Sequence, residues 1–144
     1  SDAEASAEQS TDKPTLHGVN VLIVEDNPVN QIVLQKMMQD TQCTIKNAND
    51  GLQALELLKS FAADIILMDC QMPHMDGYQC TQAIKQNPAL YGEAIVIAIT
   101  ANAFEEDQQR CLVAGMDDFI SKPINKDELY RCLNKWFKAR LDDR

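Results

Sequence analysis

The sequence predicts a doubly wound α/β domain, a (βα)₅ sandwich around a five-stranded parallel sheet. Two observations lead to this fold class. Short runs rich in Val, Ile and Leu alternate along the chain with longer amphipathic stretches. Runs of about five apolar residues are typical of parallel strands that are buried on both faces. The alternation indicates β-α units whose right-handed crossovers place helices on both faces of the sheet.

Five runs are predicted to be strands, and three of them are almost wholly apolar. The second and fifth runs contain more polar residues and are assigned by their place in the alternation. In chain order the predicted strands are Val19–Val24, Thr44–Ala48, Asp64–Met68, Ala94–Ile99 and Asp117–Ser121.

Five stretches are predicted to be helices because apolar residues recur in them at spacings of three and four. Asn27 before Pro28 is typical of a helix N-terminus, and Asn125 is a candidate cap for the last helix. Gly115 fits the C-terminus of the fourth helix. The predicted helices are Pro28–Asp40, Gly51–Phe61, Gly77–Gln86, Ala103–Ala114 and Lys126–Ala139.

Length and composition bound the domain organisation. Of the 144 residues, 45% are apolar, enough for one core. Residues 1–18 are rich in Ser, Ala, Glu and Asp and predict a flexible linker, followed by a domain at 19–138 and a short tail at 139–144. The first residue is Ser, so we expect a piece of a longer protein.

Charge, hydropathy and cysteine content argue against several classes of protein. The formal net charge of −9 argues against a nucleic-acid-binding surface. No apolar run approaches the roughly 20 residues of a membrane span, so we expect no direct membrane contact by this domain. The five cysteines are odd in number and form no CxxC pair, which argues against a disulfide framework or a zinc site. We therefore expect a cytoplasmic domain with reduced thiols.

Polar residues follow the predicted strands at the edge where α/β folds place their sites. Glu25 and Asp26 follow the first strand, Asp69 the third and Thr100 the fourth, and Lys122 follows the fifth. Each also has a simpler interpretation, such as a turn former, a helix cap or a solvated lysine. These residues come from distant parts of the chain but are all expected at the same edge of the sheet, which favours a shared site.

Three carboxylates in one cleft repel one another and need a cation. An all-oxygen set with few ligands is best suited to Mg²⁺, and no His or Cys lies nearby at the spacing that zinc requires. Asp26 and Asp69 are expected to bind the ion directly, and Glu25 directly or through water. The backbone carbonyl of Gln71 is a further candidate ligand.

Carboxylates, Mg²⁺, a hydroxyl and a lysine together indicate phosphoryl transfer. Asp69 is then the nucleophile and forms an acyl phosphate. Lys122 neutralises charge on the transferring group, and Thr100 donates a hydrogen bond to it. The chain has no GxxxxGKS or GxxxxGKT loop, so a nucleotide is not the evident donor.

Four segments resemble the signatures of bacterial response-regulator receiver domains: VLIVEDNPVNQ, IILMDCQMPHMDGYQ, IAITANA and GMDDFISKPI. The resemblance covers nearly all of 19–137 and is strongest to the C-terminal receivers of hybrid sensor histidine kinases. It implies a flavodoxin-like sheet of order 2-1-3-4-5 and a cis bond between Lys122 and Pro123. It also implies that Asp69 is the phosphoacceptor, that Glu25 and Asp26 are the acidic pair, and that Thr100 and Phe119 form the switch.

The same resemblance implies the partners. A histidine kinase core or a histidine phosphotransfer domain would supply the phosphoryl group as phosphohistidine, and a hybrid-kinase receiver would pass it to a histidine phosphotransfer domain. The parent would then be a transferase that can be tethered to the inner membrane, whereas this domain, expected to be a monomer, catalyses only its own phosphorylation and dephosphorylation.

Three other functions are compatible with a fold of this class. A stand-alone regulator would act by phosphorylation-dependent protein binding. A dehalogenase-type phosphatase would carry a second aspartate two residues after its nucleophile, where this chain has Gln71. A flavodoxin-like cofactor binder would need a first loop that accepts phosphate, but the loop that begins with Glu25 and Asp26 is acidic.

Overall fold

The computed structural model describes residues 10–101 and 104–142, and for 138–142 it describes the backbone. Within these residues there are five strands and six helices; one helix follows each strand, except that two follow the third strand. The strands are β1 (Asn20–Val24), β2 (Thr44–Ala48), β3 (Ile65–Asp69), β4 (Ile95–Thr100) and β5 (Asp118–Ser121). The helices are α1 (Pro28–Gln39), α2 (Gly51–Leu58), α3 (Gly77–Gln86), α4 (Pro88–Tyr91), α5 (Glu105–Ala114) and α6 (Lys126–Asp142).

The five strands form one parallel sheet in the order β2-β1-β3-β4-β5. The predicted fold class and strand order are both confirmed. The chain moves outward from β1 in one direction and from β3 in the other, so the order reverses between these two neighbours. In open α/β sheets the crevice at the carboxyl ends of such strands is the usual place for a site.

Alternate residues of each central strand face opposite layers of helices, because side chains of a strand alternate between its faces. Leu22, Val24 and Met68 belong to a cluster that packs against α2, α3 and α5. Ile23 and Leu67 belong to a second cluster that packs against α1 and α6. The central strands are buried on both faces, as their continuous apolar content predicts.

The helix ends follow the local sequence signals. The Asn27 side chain accepts hydrogen bonds from the first turn of α1, and Asn125 does the same for α6. Gly115 ends α5 with a φ of 98°, a conformation that glycine adopts without a steric penalty. These three predicted helix ends are confirmed.

Several predicted boundaries are wrong by one to three residues. The third strand runs from Ile65 to Asp69 rather than from Asp64 to Met68. Asp64 lies just before it and still contacts β1, since its backbone N–H donates to the Asn20 carbonyl and its carboxylate accepts from the Asn20 backbone N–H, both at 2.8 Å. Of the predicted helix Ala103–Ala114, residue Ala103 lies outside the described residues, and α5 begins at Glu105. The last helix continues to Asp142, three residues beyond the predicted Ala139.

The sequence did not predict α4, because its four residues are too few to show a helical period. The second helix ends at Leu58, before the predicted Phe61. Beyond Leu58 the backbone N–H groups of Lys59 and Ser60 donate to carbonyls three residues earlier, those of Glu56 and Leu57, which is the hydrogen-bond spacing of a tighter turn than the α-helix.

The last part of the predicted linker packs against the domain. Leu16 is fully buried, and its backbone N–H donates to the Thr41 carbonyl at 2.7 Å. The Asn134 side chain of α6 donates to the carbonyls of Ser10 and Asp12. Residues 10–18 thus contact the domain at Ser10, Asp12 and Leu16. The division at 1–18, 19–138 and 139–144 stays a prediction.

No helix among residues 10–101 and 104–142 is both long and apolar enough to cross a lipid bilayer.

Candidate phosphorylation site

The predicted site residues gather where β1, β3, β4 and β5 end. Glu25 directly follows β1, Asp69 is the last residue of β3, and Thr100 is the last residue of β4. Lys122 directly follows β5. Parallel register carries these ends to one edge: Asp69 lies opposite Ile99, and Thr100 lies opposite Ser121. The predicted convergence at the carboxyl edge of the sheet is what the fold produces.

Asp69 is held by one carboxylate oxygen while the other is left without a hydrogen bond. Its side chain is 2% exposed. Oδ1 accepts hydrogen bonds from the backbone N–H of Gln71 at 3.2 Å and from Nζ of Lys122 at 3.1 Å. Oδ2 is buried and has no hydrogen-bond partner among the described residues. The carboxylate is therefore oriented, with one oxygen available for a ligand.

Lys122 is the cation of the site. Its Nζ lies 3.1 Å from Oδ1 of Asp69 and 3.7 Å from Oε2 of Glu25. Its backbone N–H donates to the Thr100 carbonyl at 2.7 Å, which ties the end of β5 to the end of β4. The Lys122–Pro123 bond is cis, as the resemblance implied.

Three carboxylates form a cluster that opens toward solvent. One oxygen each from Glu25, Asp26 and Asp69 lies within 4.8 Å of the others. Glu25 is buried and its Oε2 has no hydrogen-bond partner among the described residues, whereas Asp26 is exposed. Two buried carboxylate oxygens without hydrogen bonds are costly. A small cation with oxygen ligands would supply a partner to Oε2 of Glu25, beside the exposed carboxylate of Asp26, so the residues present fit such an ion.

The electrostatics of Asp69 reflect this shortage of partners. Burial raises the pKa of Asp69 to about 7, and the nearby Glu25 carboxylate adds to the increase. The Gln71 amide and Lys122 oppose it. For Lys122, burial lowers the pKa, but Asp69 and Glu25 outweigh it and raise the pKa overall. A cation bound at the carboxylates would favour their ionised form.

The two predicted switch residues lie on neighbouring strands. Thr100 is 4% exposed at the end of β4. Phe119 pairs in register with Ala98 and is half-buried, packed against the cluster that contains Cys70 and Met68. The Gln71 backbone lies at the site through its N–H, and the role of its carbonyl as a ligand stays a prediction.

Sequence reasoning missed one residue of this region. Gln31 of α1 donates from its side-chain amide to the Glu25 carbonyl at 3.2 Å and to Oδ1 of Asn49 at 3.1 Å. It therefore connects the loop that holds the acidic pair to the loop after β2. No signal in the sequence distinguishes Gln31 from the other polar residues of its helix.

Comparison with known proteins decides the family. The profile of the response regulator receiver domain matches residues 21–134. The chain belongs to the response regulator receiver domain family. Hybrid signal transduction histidine kinase L of Dictyostelium discoideum is 39% identical over 139 residues, which cover 93% of this chain. The chain spans only 8% of that kinase's length.

Two solved structures extend the comparison. The receiver domain of sensor histidine kinase PA1611 from Pseudomonas aeruginosa, with magnesium coordinated in its active-site cleft, is 41% identical at a TM-score of 0.74. The match covers 84% of this chain and 98% of that one. The receiver domain of Saccharomyces cerevisiae Ssk1, bound to the histidine phosphotransfer protein Ypd1, is 27% identical at a TM-score of 0.74, covering 83% of this chain and 93% of the other. The relatives of this receiver domain thus include receivers of histidine kinases.

Proposed function

We propose that Asp69 accepts a phosphoryl group from a phosphohistidine and forms an acyl phosphate. The observation that carries this proposal is the asymmetry of its carboxylate. Oδ1 is held by Gln71 and Lys122, whereas the buried Oδ2 has no hydrogen-bond partner among the described residues. A carboxylate fixed in this way presents one oxygen to an incoming phosphorus atom, and such prior orientation accelerates the reaction.

The chemistry balances without an added reactant. Oδ2 of Asp69 attacks phosphorus, an O–P bond forms, and the P–N bond to the donor imidazole breaks. The imidazole nitrogen keeps the bonding electron pair and takes up a proton from solvent water. The Lys122 ammonium, already 3.1 Å from the carboxylate, stabilises negative charge on the phosphoryl oxygens. The Thr100 hydroxyl would donate to another of these oxygens.

The acidic cluster supports Mg²⁺ as the cofactor. Asp26 and Asp69 would hold the ion directly, Glu25 directly or through water, and the Gln71 carbonyl would supply a further oxygen. When bound, Mg²⁺ would neutralise charge on the oxygens of the phosphoryl group. The magnesium in the cleft of the Pseudomonas receiver supports this assignment.

The decisive experiment is phosphorylation by a small donor. Incubation with Mg²⁺ and acetyl phosphate should add one phosphoryl group, labile to base, as measured by intact mass spectrometry. Asp69→Asn should abolish the uptake. Asp76→Asn is the matched control, because it removes a nearby carboxylate charge yet retains a side chain that can cap α3. Equal uptake by the Asp69→Asn variant would refute the assignment.

The proposed switch follows from phosphorylation. Thr100 would move toward the phosphoryl group, and Phe119 would turn inward to occupy the space that Thr100 leaves. This movement would reshape the face formed by α5, β5 and α6, which is the output surface under this proposal.

We further propose that the parent protein is a hybrid sensor histidine kinase and that this domain exchanges its phosphoryl group with a histidine phosphotransfer domain. The Dictyostelium relative is a hybrid histidine kinase, and the yeast relative was solved with a histidine phosphotransfer protein. These relatives do not favour the stand-alone alternative. Under this proposal the domain lies in the cytoplasm, and the parent sensor kinase, a transferase, tethers it to the inner membrane.

The exposed apolar face of α1 supports a protein partner beside the site. Val29 and Ile32 are 67% and 54% exposed, and α1 begins next to Asp26. Exposed apolar residues that lie together are typical of interaction surfaces. A histidine phosphotransfer domain that docks there would bring its phosphohistidine to Asp69.

This partner proposal has its own test. Ile32→Asp should slow transfer from a phosphorylated histidine phosphotransfer domain by about tenfold or more. Uptake from acetyl phosphate should not change, because that donor needs no docking surface. Leu52→Asp is the control, since Leu52 is 57% exposed on a different helix. Unchanged transfer to the Ile32→Asp variant would rule out this face.

A further inference from the structure

Three hydrogen bonds hold Glu25, the first residue of the acidic loop, and one of them comes from a side chain outside the candidate ligand set. The Glu25 backbone N–H donates to the Ala48 carbonyl at 3.1 Å, and its Oε1 accepts from the Asn27 backbone at 3.1 Å. The third restraint is the Glu25 carbonyl, which accepts from the Gln31 side chain at 3.2 Å. Only this third restraint can be removed without altering the loop itself.

Gln31 lies at a position that suits this contact. It is in the first turn of α1, and helical side chains lean toward the N-terminus of their helix, here toward the loop after β1. Both protons of its amide nitrogen have acceptors, the Glu25 carbonyl and Oδ1 of Asn49 at 3.1 Å. A backbone carbonyl can only accept, so the amide nitrogen of Gln31 must face it.

The contact joins the loop after β1 to the loop after β2, beside the backbone hydrogen bond from Glu25 to Ala48. Asn49 follows β2, and its own backbone N–H donates to the Gln53 side chain of α2. Gln31 of α1 therefore bonds the acidic loop directly and is connected to α2 through Asn49 and Gln53. Asp26, the exposed member of the carboxylate cluster, directly follows the carbonyl that Gln31 holds.

We infer that Gln31 is a positioning residue that holds Glu25 and Asp26 in the geometry that a divalent cation needs. The inference rests on the proposed function of the carboxylate cluster and extends it. Residues that orient metal ligands typically change metal affinity 10- to 100-fold when they are removed. Gln31 acts on the backbone of its ligands rather than on their carboxylates, so we expect the lower end, about tenfold.

The test compares Gln31→Met with Gln35→Met. Methionine keeps an unbranched side chain of similar length, removes the amide donors and adds no charge. Gln35 is the matched control because it lies one turn along α1, is half-buried like Gln31, and bonds Asn47 of β2 instead of the acidic loop. Calorimetric titration with Mg²⁺ should show about tenfold weaker binding for Gln31→Met and no change for Gln35→Met.

A second measurement needs no metal. Amide hydrogen exchange in the metal-free protein should be faster at residues 25–27 in Gln31→Met and unchanged there in Gln35→Met. Equal exchange in the two variants, or equal Mg²⁺ affinity, would overturn the role of Gln31. If the unaltered chain bound no Mg²⁺, the proposed cofactor would fail instead, and the exchange experiment would still decide whether Gln31 holds the loop.

Discussion

At the scale of single residues, the site depends on how few partners each charged group has. Lys122 is the one cation that the structure describes within 4.0 Å of Asp69, and it also serves Glu25. Two of the three clustered carboxylates pair with this one ammonium, so the site retains excess negative charge. Lys122, which pairs with Asp69 in the unphosphorylated protein, is thus placed to bind the phosphoryl oxygens.

Replacing Lys122 by Met should slow phosphorylation of Asp69 by acetyl phosphate about 100-fold, because one preorganised positive charge is lost from the reacting group. Mg²⁺ should bind at least as tightly, since the carboxylates lose a competing cation. Initial rates from intact mass spectrometry and a calorimetric titration measure the two effects. Lys59→Met, which alters an exposed pair with Glu56, serves as the control. An unaltered rate for Lys122→Met would contradict this role.

At the scale of elements, the position of α3 against β3 depends on one glycine. A Cβ atom added to Gly77 would lie 2.2 Å from the Asp69 carbonyl oxygen and 2.9 Å from Cα of Cys70. These are backbone atoms, so the helix or the strand end must move. Gly51 opens α2 in the same way, after an aspartate cap, but its added Cβ would meet side-chain atoms of Met75.

Gly77→Ala should therefore lower the free energy of unfolding by about 1–3 kcal/mol and also slow phosphorylation, because it displaces Asp69. Gly51→Ala should cost less than about 1 kcal/mol, since the unbranched Met75 side chain can rotate away. Urea unfolding followed by the fluorescence of Trp136, the single tryptophan, measures both values. If both substitutions lowered the free energy of unfolding equally, the close approach of Gly77 to the backbone of Asp69 and Cys70 would not determine the stability.

At the scale of the whole molecule, the packed unit begins before the first strand. Leu16 belongs to the cluster between the sheet and the layer of α1 and α6. Asn134 of α6 holds the backbone of Ser10 and Asp12, at 3.0 Å and 2.8 Å. The chain that precedes β1 therefore enters the domain along α6.

Leu16→Ala should lower the free energy of unfolding by about 2–5 kcal/mol, because it removes a fully buried side chain from the core. Leu52→Ala makes the same chemical change on a side chain that is 57% exposed, and should remain within about 0.5 kcal/mol of the unaltered chain. Urea unfolding of the two variants gives the comparison. If Leu16→Ala lowered the free energy of unfolding only slightly, the result would support the prediction that residues up to 18 form a flexible linker.

Much of this fold could be predicted because it depends on order along the chain. Apolar runs such as Ile65–Asp69 must be buried, and parallel strands bring their carboxyl ends to one edge. The positions of Glu25, Asp69 and Lys122 at the ends of such strands are sufficient to predict that these three residues lie together. The short α4 has too few residues for a period to be visible, and Leu16 is a single apolar residue in a polar stretch.

The sequence by itself determined the type of fold, the end of the sheet where the site lies and the residue types available there. Only the tertiary structure decided which atoms meet. The hydrogen bond of Lys122 to Oδ1 of Asp69, the unpartnered Oδ2 and the contact of Gln31 with the Glu25 carbonyl join segments far apart or on different elements. Local patterns report burial and periodicity, whereas a distance between two side chains depends on the packing of every element between them.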